Sequence, residues 1–128
     1  MFILKKEFRF EASHRLPNHS GKCQRLHGHS WRMRIEVGGD KLNISGSEAG
    51  MLVDYGSISE IVKPLVEGKL DHYHLNDTTG LLNPTSEELA RWIFFQLRHQ
   101  LPLLIAVEVD ETCTSSCRYH LSPPNFEE

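Results

Sequence analysis

Apolar and polar residues alternate along the first third of this chain and again near its end. One alternating run covers residues 2–14, and a second runs from about His27 to Val37. Side chains two apart on a strand point to the same side of the sheet, so each run predicts a strand with one apolar face. Further runs that begin near Leu103 and Cys117 predict a third and a fourth strand.

Between these runs, two stretches repeat their apolar residues at helical spacing. Ser57 with Glu60 three residues later forms a capping-box pattern, which predicts the start of a first helix. Pro64 lies inside that helix and is expected to kink or shorten it, because proline lacks an N–H donor. Thr85 and Glu88 form a second capping box, which predicts the start of a second helix.

These elements predict a single α+β domain over residues 1–128, with a four-stranded antiparallel sheet. The apolar share of 39% and the charged share of 24% are ordinary for a soluble globular protein. A formal net charge of -3 without a basic stripe argues against a nucleic-acid partner. No run is long enough for a membrane span and no signal peptide is evident, so we expect a cytoplasmic protein whose three cysteines are reduced.

Three histidines continue the apolar faces of the first two strands. His14 ends the first run on the same phase as Phe8 and Phe10. His27 and His29 open the second run on its apolar phase. If the two strands pair, the three imidazoles gather at one end of a shared face. Three neutral imidazoles without a fourth protein ligand are typical of a catalytic zinc ion, whose open position holds water or substrate.

Cys23 lies in the loop before the histidine pair, between Lys22 and Gln24, and two roles compete for it. Cations beside a thiol favour the reactive thiolate, which suits a group that transfers protons next to a metal. Alternatively, Cys23 is a fourth ligand, and the metal site is then closed and structural. Cys113 and Cys117 have no histidine or carboxylate pattern around them and are interpreted as structural residues.

Glu111 continues the apolar phase of the third strand, on which Leu103 and Val109 lie. Glu108 and Asp110 are expected on the opposite, solvent-facing side. A carboxylate on a buried face needs partners, because an unpaired buried charge is costly. Glu111 is therefore either a strand end that reaches water or a recognition group that accepts two N–H bonds from a heterocycle.

Asp71 and His72 follow the first helix and form an adjacent acid and imidazole. Such a pair can tune a proton-transfer group, although Asp-His pairs are also common in ordinary loops. The sequence by itself does not decide between these interpretations. His19, His99 and His120 are expected on the surface.

Several motifs, taken together and in this order, resemble the 6-pyruvoyltetrahydropterin synthase family over nearly the whole chain. They are Phe10–Leu16, Cys23, Leu26–His29, Asp54–Tyr55, Leu70–His72, Leu75–Asn76, Asn83–Glu87 and Glu111–Thr112. The three residues between Cys23 and His27 match the branch that makes 6-carboxytetrahydropterin, since the 6-pyruvoyl branch usually has a longer interval there. Ser13 stands where alanine is more usual, on the opposite phase from the histidines.

The resemblance implies a tunnelling fold, in which a four-stranded antiparallel sheet carries two helices on one face. It also implies a homo-oligomer, in which three subunits close a barrel, two trimers stack into a hexamer, and active sites lie at subunit interfaces. The implied reaction is a zinc-dependent lyase step from 7,8-dihydroneopterin 3′-triphosphate to 6-carboxy-5,6,7,8-tetrahydropterin, on the route to queuosine. The rivals are the 6-pyruvoyl reaction, a different zinc hydrolase and a non-catalytic zinc-binding protein.

The resemblance also implies roles for single residues. The positions that match the family's zinc ligands are His14, His27 and His29. Cys23 matches the proton acceptor, and His72 with Asp71 before it matches the relay that tunes the cysteine. Glu111 matches the acid that anchors the pterin. The positions that match the pterin pocket are Thr85, Ser86 and Glu87, although Thr85 is equally explained as a helix cap.

Overall fold

The computed structural model describes residues 1–122, so residues 123–128 of the predicted domain lie outside it. Its strands are β1 (Phe2–His14), β2 (His27–Gly39), β3 (Tyr73–His74), β4 (Leu104–Thr112) and β5 (Ser115–Tyr119). They form one sheet in the order β3-β1-β2-β4-β5. All neighbours are antiparallel except β3, which pairs in parallel with β1. The α+β class is confirmed, but the sheet has five strands and not four, because the two residues of β3 are too few to show alternation.

The helices are α1 (Tyr55–Leu65), α2 (Leu75–Thr79) and α3 (Ser86–Leu97). The first and third are the two predicted helices, and α2 is a short addition between them. A 3-10 turn at Lys22–Gln24 and a π-helical turn at Val66–Leu70 complete the regular structure. Within residues 1–122, none of the helices has the length and apolar character needed to span a membrane.

The apolar face of the sheet forms the core, with α1 and α3 packed on it. Phe10 lies opposite Trp31 in the pairing of β1 with β2, and both side chains are 1% exposed. Ile58 of α1 and Ile93 of α3 are fully buried against this face. Each buried side chain of this size contributes about 1.5–3 kcal/mol to stability. The same pairing continues to His14 opposite His27, so the apolar face ends in histidines.

The first helix starts earlier than its capping pattern predicts. Asp54 is the N-cap, because its carboxylate accepts a hydrogen bond of 2.9 Å from the N–H of Gly56. Ser57 therefore lies inside α1, and the predicted start is wrong. Pro64 has the expected effect, since α1 ends one residue later and opens into the π-helical turn.

The start of β4 also departs from its predicted phase. Leu103 is 42% exposed, whereas Leu104 is buried. The register shifts by one residue where Glu36 pairs with Ala106 and Val37 pairs with Leu104, which leaves Ile105 as an extra residue in a β-bulge. The bulge resets the alternation, so the assignment of Leu103 to the buried side is wrong.

The face of the sheet away from the helices carries ion pairs, and we call it the ion-pair face. Asp110, expected to face solvent, is only 5% exposed because it accepts hydrogen bonds from Arg32 at 2.9 Å and from Arg34 at 2.6 Å. Arg34 also donates to Glu108 at 3.0 Å, and Arg118 donates twice to Glu36 at 3.0 Å. Pairing across three strands thus buries carboxylates that single-strand alternation predicts to be wet.

Candidate metal centre

The pairing of β1 with β2 brings three histidines together at one end of the apolar face. His14 lies opposite His27, and Ala12 lies opposite His29. One ring nitrogen from each imidazole lies within 4.8 Å of the others. The gathering predicted from strand alternation is therefore confirmed, and it needs only these two strands.

Two of the imidazoles are oriented by main-chain carbonyls. The Nδ1 of His14 lies 2.8 Å from the carbonyl oxygen of Pro84, and the Nδ1 of His27 lies 2.7 Å from that of Arg25. A carbonyl oxygen only accepts, so each Nδ1 carries the hydrogen and each Nε2 keeps a free lone pair. Partners of this kind fix the ring and tautomer of metal-binding histidines.

The Nε2 atoms of His14 and His29 are buried and have no hydrogen-bond partner in the part of the chain that the structure describes. Nearly all buried polar atoms in proteins are satisfied, so two such atoms side by side need an explanation. Burial lowers the pKa of both His14 and His29, which keeps the rings neutral, the form that binds metals. The histidine cluster, meaning His14, His27 and His29, thus has the donor atoms, tautomers and charge that suit a metal ion.

Glu111 adjoins the histidine cluster from the end of β4. Its Oε2 lies 3.5 Å from the Nε2 of His14 and 3.6 Å from the Nε2 of His29. The side chain is 30% exposed, so one side faces the imidazoles and the other reaches solvent. This arrangement differs from a strand end that meets water alone, and it leaves carboxylate oxygen available to a molecule bound at the cluster.

Trp31 forms the apolar floor of the cluster, a role that its place in the alternating pattern did not reveal. Its ring packs edge-on against His14 at 5.1 Å and against His29 at 5.3 Å between centroids. Its Nε1 donates a hydrogen bond of 3.1 Å to the carbonyl of Ala12. Because this hydrogen bond fixes the buried indole, the ring restricts the rotamers of the two histidines.

Cys23 lies beside the cluster but not in it. Its thiol is half-buried in the 3-10 turn, and its carbonyl accepts a hydrogen bond of 2.8 Å from the N–H of Leu16. It lines a cavity of about 390 Å³ together with His27 and His29. Only the three histidines form a ligand group within residues 1–122, so this geometry favours a group next to the metal over a fourth ligand.

Asp71 and His72 form a close pair of carboxylate and imidazole that is anchored to the edge of β1. The Nδ1 of His72 lies 3.0 Å from the carboxylate of Asp71, which also accepts a bond of 2.9 Å from the N–H of Glu11. The bond from Glu11 and then the bond from His72 lower the pKa of Asp71. His72 returns a hydrogen bond of 2.6 Å to the carbonyl of Glu11 and adopts a left-handed backbone with φ of 66°.

His72 and Cys23 line different cavities of one chain. His72 faces a cleft of about 470 Å³ on the side of β3, whereas Cys23 faces the cavity beside His27. The two cavities share only His29. Among residues 1–122, no hydrogen bond joins His72 to Cys23, so a single chain does not assemble the relay that the family resemblance implies.

The start of α3 supports the histidine cluster through Pro84. Thr85 is the N-cap of α3, as predicted, and its hydroxyl accepts a hydrogen bond of 3.1 Å from the N–H of Glu88. Ser86 donates to the carboxylate of Glu87 at 3.1 Å. The cap fixes the chain next to the carbonyl that orients His14, while the role of Thr85, Ser86 and Glu87 in a pterin pocket remains a prediction.

Asn76 makes structural contacts that the sequence did not predict. Its side chain accepts a hydrogen bond from the N–H of Arg15 at 3.0 Å and donates to the carbonyls of Arg15 at 2.8 Å and Leu82 at 3.1 Å. These bonds tie the end of β1 to the loop that holds Pro84. The family motifs include Asn76, but its residue type carries no signal for this tie.

Comparison with known proteins places the fold and the site in context. The family model described as 6-pyruvoyl tetrahydropterin synthase matches residues 3–122. A protein of Synechocystis sp. named 6-carboxy-5,6,7,8-tetrahydropterin synthase is 54% identical over 127 residues, which cover 96% of this chain and 98% of that protein. A protein of Haemophilus influenzae with the same name is 36% identical over 93% of this chain and 99% of its own length. The structure of 6-pyruvoyl tetrahydropterin synthase from Caenorhabditis elegans shares the fold, with a TM-score of 0.81 at 22% identity over 94% of this chain and 96% of that one.

Proposed function

This chain belongs to the 6-pyruvoyl tetrahydropterin synthase family, and on that premise we propose that it is a zinc-dependent carbon–carbon lyase. The proposed reaction takes 7,8-dihydroneopterin 3′-triphosphate and water to 6-carboxy-5,6,7,8-tetrahydropterin, acetaldehyde and triphosphate, as a step towards the deazaguanine of queuosine. The observation that carries the proposal is the histidine cluster, whose buried Nε2 atoms of His14 and His29 lack partners and adjoin the carboxylate of Glu111. The 54% identity to a protein named for this reaction favours it over the 6-pyruvoyl reaction.

The histidine cluster is the proposed zinc site. Three neutral imidazoles that leave a coordination position open are the usual ligands of a catalytic zinc. His14 and His27 would bind through Nε2, because their Nδ1 atoms are engaged by carbonyls. When bound, zinc supplies Lewis acidity to the oxygen atoms of the substrate side chain, which acidifies the adjacent carbon.

Glu111 is the proposed pterin anchor. A pterin ring presents a ring N–H and an amino group side by side, and a carboxylate can accept both bonds in parallel. The oxygen of Glu111 that adjoins the cluster lies 3.5 Å from the Nε2 of His14. A ring held there would direct its side chain over the three imidazoles, with Thr85, Ser86 and Glu87 as further candidate contacts.

Cys23 is the proposed proton-transfer group. Proton transfer at the substrate side chain needs an acid–base group beside the metal that does not occupy a coordination position. Cys23 meets this need, because it lines the cavity that contains His27 and His29 but does not join the group of ligand atoms. The thiolate would take a proton from a side-chain carbon and return one later in the reaction.

We further propose that each active site is shared between subunits. The relay of Asp71 and His72 can tune Cys23 only if the His72 ring reaches the thiol. In one chain, however, His72 and Cys23 line separate cavities. A second copy of the chain can bring its His72 to the Cys23 cavity of the first. This agrees with the trimer or hexamer that the family resemblance implies.

The test of the proposed reaction is turnover of 7,8-dihydroneopterin 3′-triphosphate by the zinc-loaded protein, with products identified by mass. We expect 6-carboxytetrahydropterin and acetaldehyde in equal amounts. Formation of 6-pyruvoyltetrahydropterin alone would assign the chain to the other branch. Zinc binding without any turnover would support the non-catalytic alternative.

Shared active sites can be tested by mixing two inactive variants. Cys23→Ala and His72→Ala subunits are exchanged and assayed together, with each variant alone as the control. A mixed oligomer contains some sites with both intact residues, so we expect partial recovery of activity. Absence of recovery, with subunit exchange verified by mass spectrometry, would contradict the shared site.

A further inference from the structure

The segment that carries the histidine cluster is unusually free of acidic residues. The chain has a formal net charge of -3, yet residues 12–35 contain no aspartate or glutamate. The same segment holds the exposed cations Arg15, Lys22 and Arg25. A local excess of positive charge in an acidic chain favours binding of an anion at this place.

The arginines of the chain fall into two groups according to what they touch. Those bonded to carboxylates are Arg9, Arg32, Arg34, Arg91 and Arg118. Arg98 lies over the rings of Phe94 and Phe95. Within residues 1–122, Arg15 and Arg25 are the two arginines that have neither a carboxylate nor an aromatic partner.

Both of these arginines adjoin the turn that carries Cys23. The Nε of Arg15 donates a hydrogen bond of 3.2 Å to the carbonyl of Gln24, and its two terminal nitrogens make no hydrogen bond among the described residues. Lys22 and Arg25 line the same cavity as Cys23. The three cations therefore collect on the side of the histidine cluster where the proposed proton-transfer group lies.

Glu111, the proposed pterin anchor, lies at a different part of the histidine cluster from these three cations. Glu111 adjoins His14 and His29, whereas the Cys23 turn adjoins His27 and His29. In the proposed substrate, the triphosphate is attached at the far end of the side chain from the ring. A ring at Glu111 and a side chain over the imidazoles therefore bring the triphosphate towards the Cys23 turn.

We propose that Arg15, Lys22 and Arg25 form the subsite that holds the triphosphate of the substrate, an inference that rests on the proposed function. Guanidinium groups bind phosphate oxygens through two parallel N–H bonds, and an ammonium adds a compact charge. Three cations oppose the several negative charges of a triphosphate. The subsite also explains why these side chains lack carboxylate partners within residues 1–122.

The test is calorimetric titration of the zinc-loaded protein with inorganic triphosphate at low ionic strength. We compare wild type with Arg15→Gln/Arg25→Gln and with Lys22→Gln. The control is Lys41→Gln/Lys63→Gln, which removes the same charge from exposed positions away from the cluster. We expect the arginine double variant to weaken binding by about 10- to 100-fold and Lys22→Gln by about 3- to 10-fold, with the control unchanged.

The outcomes separate this subsite from the proposed reaction. Equal affinity in wild type and the arginine double variant, with zinc content equal, would overturn the subsite even if the enzyme makes 6-carboxytetrahydropterin. Equal weakening in the control would also overturn it, since net charge alone would then explain the effect. Triphosphate binding that depends on Arg15 and Arg25 in a protein that does not turn over the pterin would support the subsite and reject the reaction.

Discussion

The two faces of the sheet differ in whether their polar groups have bonding partners. On the ion-pair face, Arg34 bonds to Glu108 and Asp110, and even the buried Glu36 is held twice by Arg118. At the end of the other face, the histidine cluster contains two buried nitrogens that have no hydrogen-bond partner within residues 1–122. Satisfied polar groups rigidify a fold, whereas an unsatisfied buried pair is a rare feature that a bound metal ion would explain.

The difference between the faces has an energetic consequence for the metal. A buried polar atom without a partner destabilises the folded chain by about 1–3 kcal/mol. The ion-pair face contributes to folding whether or not a ligand is present. A metal ion at the histidine cluster would remove the cost there, so zinc should raise stability through one face only.

The largest effect is expected from Glu111→Gln, compared with Glu108→Gln on the same strand. Glutamine replaces one acceptor oxygen of Glu111 with a donor, so the pterin edge would face an N–H. A site built for hydrogen bonds rejects such a mismatch by up to about 10⁴-fold. We expect affinity for a non-reacting pterin, measured by calorimetry, to fall this far while zinc content stays constant. Equal affinities in wild type and Glu111→Gln would remove the pterin anchor.

Cys23→Ala, compared with Cys117→Ala, separates catalysis from metal binding. General acid–base groups contribute about 10²- to 10⁴-fold, so we expect kcat of the Cys23 variant to fall by that factor. Zinc content should be unchanged, since the thiol lies outside the ligand group. Loss of zinc from Cys23→Ala would instead identify the cysteine as a ligand and favour a structural metal site.

His29→Ala should break the histidine cluster without damage to the fold. We expect zinc affinity to fall by more than about 100-fold. Removal of a residue that only hydrogen-bonds to a metal ligand typically lowers metal affinity by about 10- to 100-fold, and removal of the ligand itself should lower it further. The metal-free variant should lose only the ring contacts of His29 with Trp31 and the other imidazoles, because the removed Nε2 has no hydrogen-bond partner within residues 1–122. His99→Ala, at an exposed position, is the control. Full zinc occupancy in His29→Ala would end the assignment.

Asp110→Ala should have the complementary and smallest effect. The substitution takes a buried carboxylate from Arg32 and Arg34, although Arg34 keeps its bond to Glu108. We expect a loss of about 2 kcal/mol in the free energy of unfolding, measured by urea denaturation. Zinc affinity should not change. A variant that kept its stability but lost zinc would contradict the view that the ion-pair face stabilises the fold without affecting the metal site.

Strand alternation predicted the site better than it predicted the ends of elements. Period-two spacing is a property of the residues themselves, so the meeting of His14 with His27 and His29 followed from the sequence. The bulge at Ile105 and the short pairing of β3 depend on a neighbouring strand, which a single run does not contain. The start of α1 was misplaced because Asp54 competes with Ser57 as a cap.

The contacts that hold the site in place could not be predicted from residue types. Pro84 and Arg25 orient two imidazoles with main-chain carbonyls, a group that every residue carries. The partners of Asp110 come from another strand, so its burial could not be read from β4 alone. Residue types and their spacing thus predicted which histidines meet, and tertiary contacts decide how they are held.

The backbone conformation of His72 affects which residues could replace it during evolution. Its left-handed backbone, with φ of 66°, costs a residue with a side chain about 1 kcal/mol relative to glycine. The backbone conformation at this position therefore favours glycine or asparagine over histidine, and a substitution by either would lose the contact of the ring with Asp71. The histidine is therefore explained by its ring and not by its backbone. In related chains that had lost the use of this ring, we expect glycine or asparagine at this position.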